Sequence, residues 1–141
     1  MYSIQGPTYV RALRGEVPRL FDTPLEMGRH RTLFEGKDVL VVVSGHLTAA
    51  TQRIVSEIRE ESPGVGLVNV STLKPFDDVA LCEKFSRATT VITVENHWSA
   101  SGLGPIVGEV ILEHGYLTRL LRVEVKDTFT HGGSPSYLEN F

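Results

Sequence analysis

The sequence holds one cysteine, Cys82, and one tryptophan, Trp98, and its longest purely aliphatic run is Val39 to Val43. A single thiol cannot form an internal disulfide, and it excludes a clustered-thiolate site for zinc or for iron and sulfur. The aliphatic run is far short of a bilayer span, and the opening MYSIQGPTYV has neither the basic start nor the apolar stretch of a secretory signal. No membrane partner and a cytoplasmic location are therefore expected. Positive charge is also scarce: 14 Lys and Arg stand against 17 Asp and Glu, for a formal charge of -3, and the basic residues are scattered. Phosphate backbones have no stripe to bind, so nucleic acid is not an expected partner. Ser44 and Ser101 lie beside glycines near strand ends, but no G-x-S-x-G elbow occurs, which leaves acyl transfer unsupported.

The composition itself is ordinary. Over 141 residues, 41% are hydrophobic and 22% charged, enough for one domain with its own core. Four β-branched runs recur along the chain, at Asp38–Gly45, Val65–Val70, Thr89–Asn96 and Leu120–Val125. Three are apolar on both faces, as buried parallel strands must be, and helical periodicity fills the gaps. The first gap places Leu47, Ala50, Ile54, Val55 and Ile58 on one face and stops at Ser62-Pro63-Gly64. The second begins with Asp77 as N-cap and Phe76 positioned to staple onto Leu81, and turns Val79, Cys82 and Phe85 to the sheet. The third starts at Gly104-Pro105, buries Ile106, Val107, Val110 and Ile111, and ends at Gly115. Upstream, Arg29–Asp38 reads as an antiparallel edge strand that folds back on the first parallel strand as a hairpin. Residues 1–14 form a tail with one strand-like segment, Thr8 to Leu13, and residues 15–26 a linker. The domain proper spans residues 27–141.

In such a sheet, loops converge at the carboxyl ends of the strands, and functional groups gather there. This rim receives Ser44-Gly45-His46, then Thr72 and Lys74, then Glu95-Asn96-His97-Trp98, then Asp127-Thr128 with His131. His46, Glu95, His97 and His131 have the right chemistry for a metal or for acid and base work, but none shows zinc-motif spacing, so no metal site is assigned. Gly102-Leu103-Gly104-Pro105-Ile106-Val107-Gly108 opens a helix after a strand, and Glu124 ends the next strand, which imitates a dinucleotide fingerprint. Val107 stands where that fingerprint wants glycine, and Pro105 removes an amide. A nucleotide- or anion-binding regulatory domain remains the alternative reading. Cys82 sits on an inward helix face, where a structural thiol is expected.

Four segments read together carry a resemblance: EMGRHRTLFEGKDVLVVVSG, VNVSTLKPFD, VITVENHWSASGLG and DTFTHGGSPSYLENF. They look like the C-terminal domain of the transketolase family, which also covers deoxyxylulose-phosphate synthase and the β subunits of 2-oxo acid dehydrogenases. The likeness spans Met27 to Phe141, and GPTYVRALRG at Gly6 to Gly15 is similar to the closing strand of the family's pyrimidine-binding domain. Ala100-Ser101-Gly102 departs from the usual glycine pair, and Asn96 replaces a frequent acidic residue. Thr72-Leu73-Lys74-Pro75 and His131-Gly132 lean toward the sugar-phosphate branches.

The resemblance implies a three-layer αβα sandwich with a mixed five-stranded sheet, its first strand antiparallel to the rest. It implies that thiamine diphosphate and magnesium serve the full enzyme, on diphosphate- and pyrimidine-binding domains or a subunit outside this sequence. No Gly-Asp-Gly metal motif occurs here. The chain is accordingly expected to bind no cofactor or metal and to catalyse nothing alone. Its roles would be packing and contacts within a homodimeric enzyme, with Glu95, His97, Trp98, Gly102 and Gly104 as the interface residues.

Overall fold

The computed structural model describes residues 5–12, 18–24, 26–76, 78–129 and 132–133. Five strands form one sheet: β1 His30–Phe34, β2 Val39–Val43, β3 Val65–Val70, β4 Thr90–Trp98 and β5 Arg119–Val125. Three helices, α1 Thr48–Glu61, α2 Asp78–Arg87 and α3 Leu103–Glu113, fill the crossovers, with a short 3-10 turn at Gly45–Leu47 before α1. The spatial order is β1-β3-β2-β4-β5. β1 is antiparallel to β3, and every other pairing is parallel. This is the mixed sheet expected from the sequence.

The hairpin expectation fails. β2 lies between β3 and β4, so neither of its edges is open to β1. The turn after β1 crosses the start of β3, where the Lys37 and Asp38 amides donate to the Gly64 carbonyl at 3.0 and 3.1 Å. A Cβ on Gly36 would stand 2.2 Å from the Gly66 nitrogen, so glycine permits this crossing. The antiparallel edge strand was legible; its partner was set by a long-range packing event.

Alternating strand residues divide the core in two. Leu40, Val42, Val68, Val70 and Val91 pack under α2 and α3, against Leu81, Phe85, Leu103, Val107, Val110 and Ile111. Val41, Val43 and Leu67 pack under α1 against Val55. Phe85 is fully buried at the centre of the larger cluster, and Phe76 packs on its margin. Two helical faces differ from expectation. On α1 the buried residues are Thr48, Thr51 and Val55, while Ile54 and Ile58 are exposed. On α2, Cys82 and Phe85 face the sheet but Val79 is 82% exposed. In both helices β-branched residues suggested a wider apolar stripe than a single sheet face can cover. The expected N-cap Asp77 lies outside the described residues.

Candidate functional site at the carboxyl rim of the sheet

β2 and β4 are neighbours whose chain connections leave in opposite directions, to β3 and to β5. A crevice for ligands forms at such a switch point in open α/β sheets. Around it the strand ends are tied together by the chain's own groups. The Asn69 amide donates to the Thr48 hydroxyl at 2.8 Å, the Thr48 hydroxyl donates to the Gly45 carbonyl at 2.6 Å, and the Ser44 amide reaches the Val94 carbonyl at 3.2 Å. Asn69 and Thr48 are both buried. On the adjoining side, the Thr72 hydroxyl accepts from the Gly28 amide at 3.1 Å, which fastens the chain entering β1 to the end of β3. Lys74, joined to Pro75 by a cis peptide, is exposed.

Glu95 is the best-defined group of the rim. It is 6% exposed, and its two carboxylate oxygens accept from the Leu103 amide at 2.8 Å and the Gly104 amide at 2.7 Å. The carboxylate therefore caps α3 from β4, meeting the amides that a helix start leaves unpaired and the positive end of the helix dipole. Gly102 makes this approach possible: its φ is 98°, and a Cβ there would lie 2.2 Å from Glu95 Oε2. Gly104 is needed for a different reason, since its Cβ would meet Arg122 and Glu124 of β5, each at 2.9 Å. The glycines thus serve helix–strand packing around an internal carboxylate. A phosphate approaching the same amides would meet the Glu95 charge, so the dinucleotide-like pattern is filled by the chain's own anion. By the same chemistry the α3 terminus does not fit the diphosphate of thiamine diphosphate.

His97 and Trp98 lie above this cap. β4 extends through Trp98, which pairs with Val125 of β5 after an irregularity following Val94, so the tryptophan ends a strand and does not sit in a loop as its neighbours suggested. Trp98 is 48% exposed. His97 Nε2 lies 3.1 Å from the Ser101 hydroxyl at the surface. His46 occupies the 3-10 turn after β2, and His131 lies outside the described residues. Among the described residues, no three His, Cys, Asp or Glu side chains converge in a geometry that could hold a metal.

Away from the rim, Cys82 Sγ lies 3.5 Å from His114 Nε2, and the His114 ring stacks on Tyr116 at 5.4 Å between centroids. Burial and the neighbouring Cys82 thiol push the Tyr116 phenol above its ordinary value. The Asn69–Thr48 network, the cap role of Glu95 and the contact of Cys82 with His114 had no signal in sequence spacing. Only the glycines flanking Leu103 hinted at a close approach.

Fold and rim together define an αβα domain whose α3 terminus is capped by its own carboxylate, with an aromatic residue displayed at the rim. The family model for the transketolase C-terminal domain matches residues 28–141, and the chain belongs to that family. Relatives include the putative transketolase C-terminal section of Methanocaldococcus jannaschii, 30% identical over 95% of this chain and 43% of that protein. The 6-deoxy-6-sulfo-D-fructose transketolase subunit of a Clostridium species is 32% identical over 95% of this chain and 42% of its own length. A solved structure titled split gene transketolase, inactive beta4 tetramer, superposes with a TM-score of 0.76 at 34% identity, covering 88% of this chain and 40% of that one. The chain thus spans about two fifths of the length of these relatives.

Proposed function

We propose that this chain is the non-catalytic C-terminal domain of a thiamine-diphosphate-dependent transketolase that transfers ketol units between sugar phosphates, in a cytoplasmic, dimeric enzyme. Residues 1–14 act as a strand that belongs to a preceding pyrimidine-binding domain, 15–26 as a linker, and 27–141 as the docking domain. Cofactor and magnesium are held on diphosphate- and pyrimidine-binding parts of the enzyme, a division that relatives named as a subunit and as a C-terminal section support.

The observation that carries this reading is the combination of a filled helix terminus and a displayed Trp98. With the α3 amides taken by Glu95, the rim offers shape and apolar area to a protein surface and not donors to an anion. His97 and Trp98 make the contact, while Glu95, Gly102 and Gly104 hold the segment beneath them. Large aromatics at such positions carry association energy. The chain's likeness to a transketolase subunit and to 1-deoxy-D-xylulose-5-phosphate synthase favours the sugar-phosphate branches over the 2-oxo acid dehydrogenases.

The test uses the assembled enzyme. Trp98→Ala should weaken docking by about 2 kcal/mol while leaving the KM for sugar phosphate nearly unchanged. Sedimentation measures the first and steady-state kinetics the second. Intact association with collapsed turnover of bound substrate would place the rim in the active site and defeat the reading.

A further inference from the structure

We propose that two copies of this chain associate through the outer edges of their β5 strands, antiparallel and about a two-fold axis at Val123. The pairing joins two five-stranded sheets into one. It requires nothing of the enzyme reading above, because it concerns a surface that the chain carries whatever it docks to at the rim.

The two edges of the sheet are unlike. β1 is half-buried along its whole length, its ladder is interrupted between Thr32 and Phe34, and Arg31 is drawn over the Phe21 ring at 4.2 Å and bonded to the Pro24 carbonyl. Such features close an edge. β5 is more open than β1: its ladder to β4 is irregular only after Val94 and Arg122 is bonded to the Ser99 carbonyl at 3.1 Å, but most of its residues are exposed. The α1-side face of β5 presents Leu121 at 38% and Val123 at 55% exposure, beside Ile92 and Val94 of β4, which join the α1-side core. Ile54 and Ile58 are exposed on α1, leaving apolar area on this side of the domain without a cover.

Backbone direction then limits how β5 can be extended. The Arg119 amide donates to the Thr89 carbonyl, and the Val125 carbonyl accepts from the Ser99 amide, so the odd-numbered residues of β5 aim their backbone groups at β4. Strand alternation turns the amides and carbonyls of Leu120, Arg122 and Glu124 outward. An antiparallel partner must meet these with its own outward groups. Centring the axis on Val123 does so: Arg122 of one copy exchanges both backbone hydrogen bonds with Glu124 of the other.

Side chains select the same register. Centred on Val123, Arg122 faces Glu124, Leu121 faces Val125, and Val123 faces its own copy, while Asp127, just past the strand, comes beside Arg119. A shift of the axis by one residue sets Arg122 against Arg122, or Glu124 against Glu124, and directly opposed like charges are destabilising. Opposite charges across strands are favourable, and the mixed signs here attract an antiparallel copy. Within each copy Glu124 is already paired, its Oε1 3.3 Å from Arg122 Nε.

The experiment is sedimentation equilibrium on the whole chain from about 1 to 100 µM, with amide exchange at both ends of the range. A dimer should form with concentration, and the Arg122 and Glu124 amides should be protected at high concentration and exchange fast on dilution. The Leu121 and Val123 amides, bonded to β4, should remain protected throughout. Val123→Lys sets two ammonium groups face to face and should raise the dimer Kd by at least about tenfold with near-UV dichroism unchanged. Arg119→Asp should weaken the dimer and Arg119→Asp with Asp127→Arg restore it, a comparison that decides the matter should the lysine variant misfold. A monomer at every concentration, a dimer indifferent to these changes, or Arg122 and Glu124 amides that exchange fast in the dimer would overturn the proposal.

Discussion

Replacing Glu95 should cost this domain more than any surface change at the same rim. Glu95→Ala removes the acceptor of two amides at the start of α3, and each buried donor left without a partner costs about 1 to 3 kcal/mol. Loss of the favourable charge at the helix terminus adds about 0.3 to 1 kcal/mol. Relief from burying a carboxylate at 6% exposure offsets part of this, so the net destabilisation should be about 3 kcal/mol. Glu95→Gln keeps one acceptor but turns an amide donor toward the second N–H, and should cost about 2 kcal/mol. Urea denaturation followed by helical dichroism reads both, and for a chain of this size the alanine variant should lose about 10 °C in Tm. His97→Ala, beside it but exposed, should stay within about 0.5 kcal/mol of the parent. An alanine variant equally close to the parent would refute the cap as the role of Glu95. It would return that carboxylate to the list of groups free to act on a ligand.

Gly102→Ala should destabilise by about 2 kcal/mol or more in the same assay, since the residue has φ 98° and its Cβ would overlap Glu95 Oε2; a neutral result would mean that the segment can relax away from the cap. Phe85→Ala, at the centre of the α2–α3 side of the core, should cost about 3 to 5 kcal/mol, and a value under about 1 would contradict its full burial. Because the Tyr116 phenol is raised above 10.0, its contribution to stability is complete below that pH and is lost as the pH rises through the folded-state value. Tyr116→Phe should flatten that alkaline loss, and an unchanged profile would show that Tyr116 does not contribute to it.

Sheet and helices were legible because β-branched runs and 3.6-residue periodicity are local signals, and Val39–Val43 and Val65–Val70 stand nearly where their runs predicted. What was not legible depended on distant partners. β1 lies beside β3 because a glycine turn crosses the Gly64 carbonyl, 28 positions after Gly36 in the chain, a contact no periodicity encodes. Ile54, Ile58 and Val79 are exposed because a helix over one sheet buries a narrower stripe than its apolar residues could fill. At the rim the sequence set Glu95, Gly102 and Gly104 among candidate interface residues without showing that they meet, because a carboxylate that caps a helix from a neighbouring strand has the same sequence pattern as one that awaits a ligand. Only the two amide distances separate these cases.

Calorimetric titration of the isolated chain with thiamine diphosphate and magnesium tests the central claim most directly. The account predicts no binding at millimolar cofactor, because the α3 terminus is already filled by Glu95 and the sequence carries no Gly-Asp-Gly motif. Micromolar binding, about 8 kcal/mol of affinity, would contradict it by placing a cofactor site on this domain.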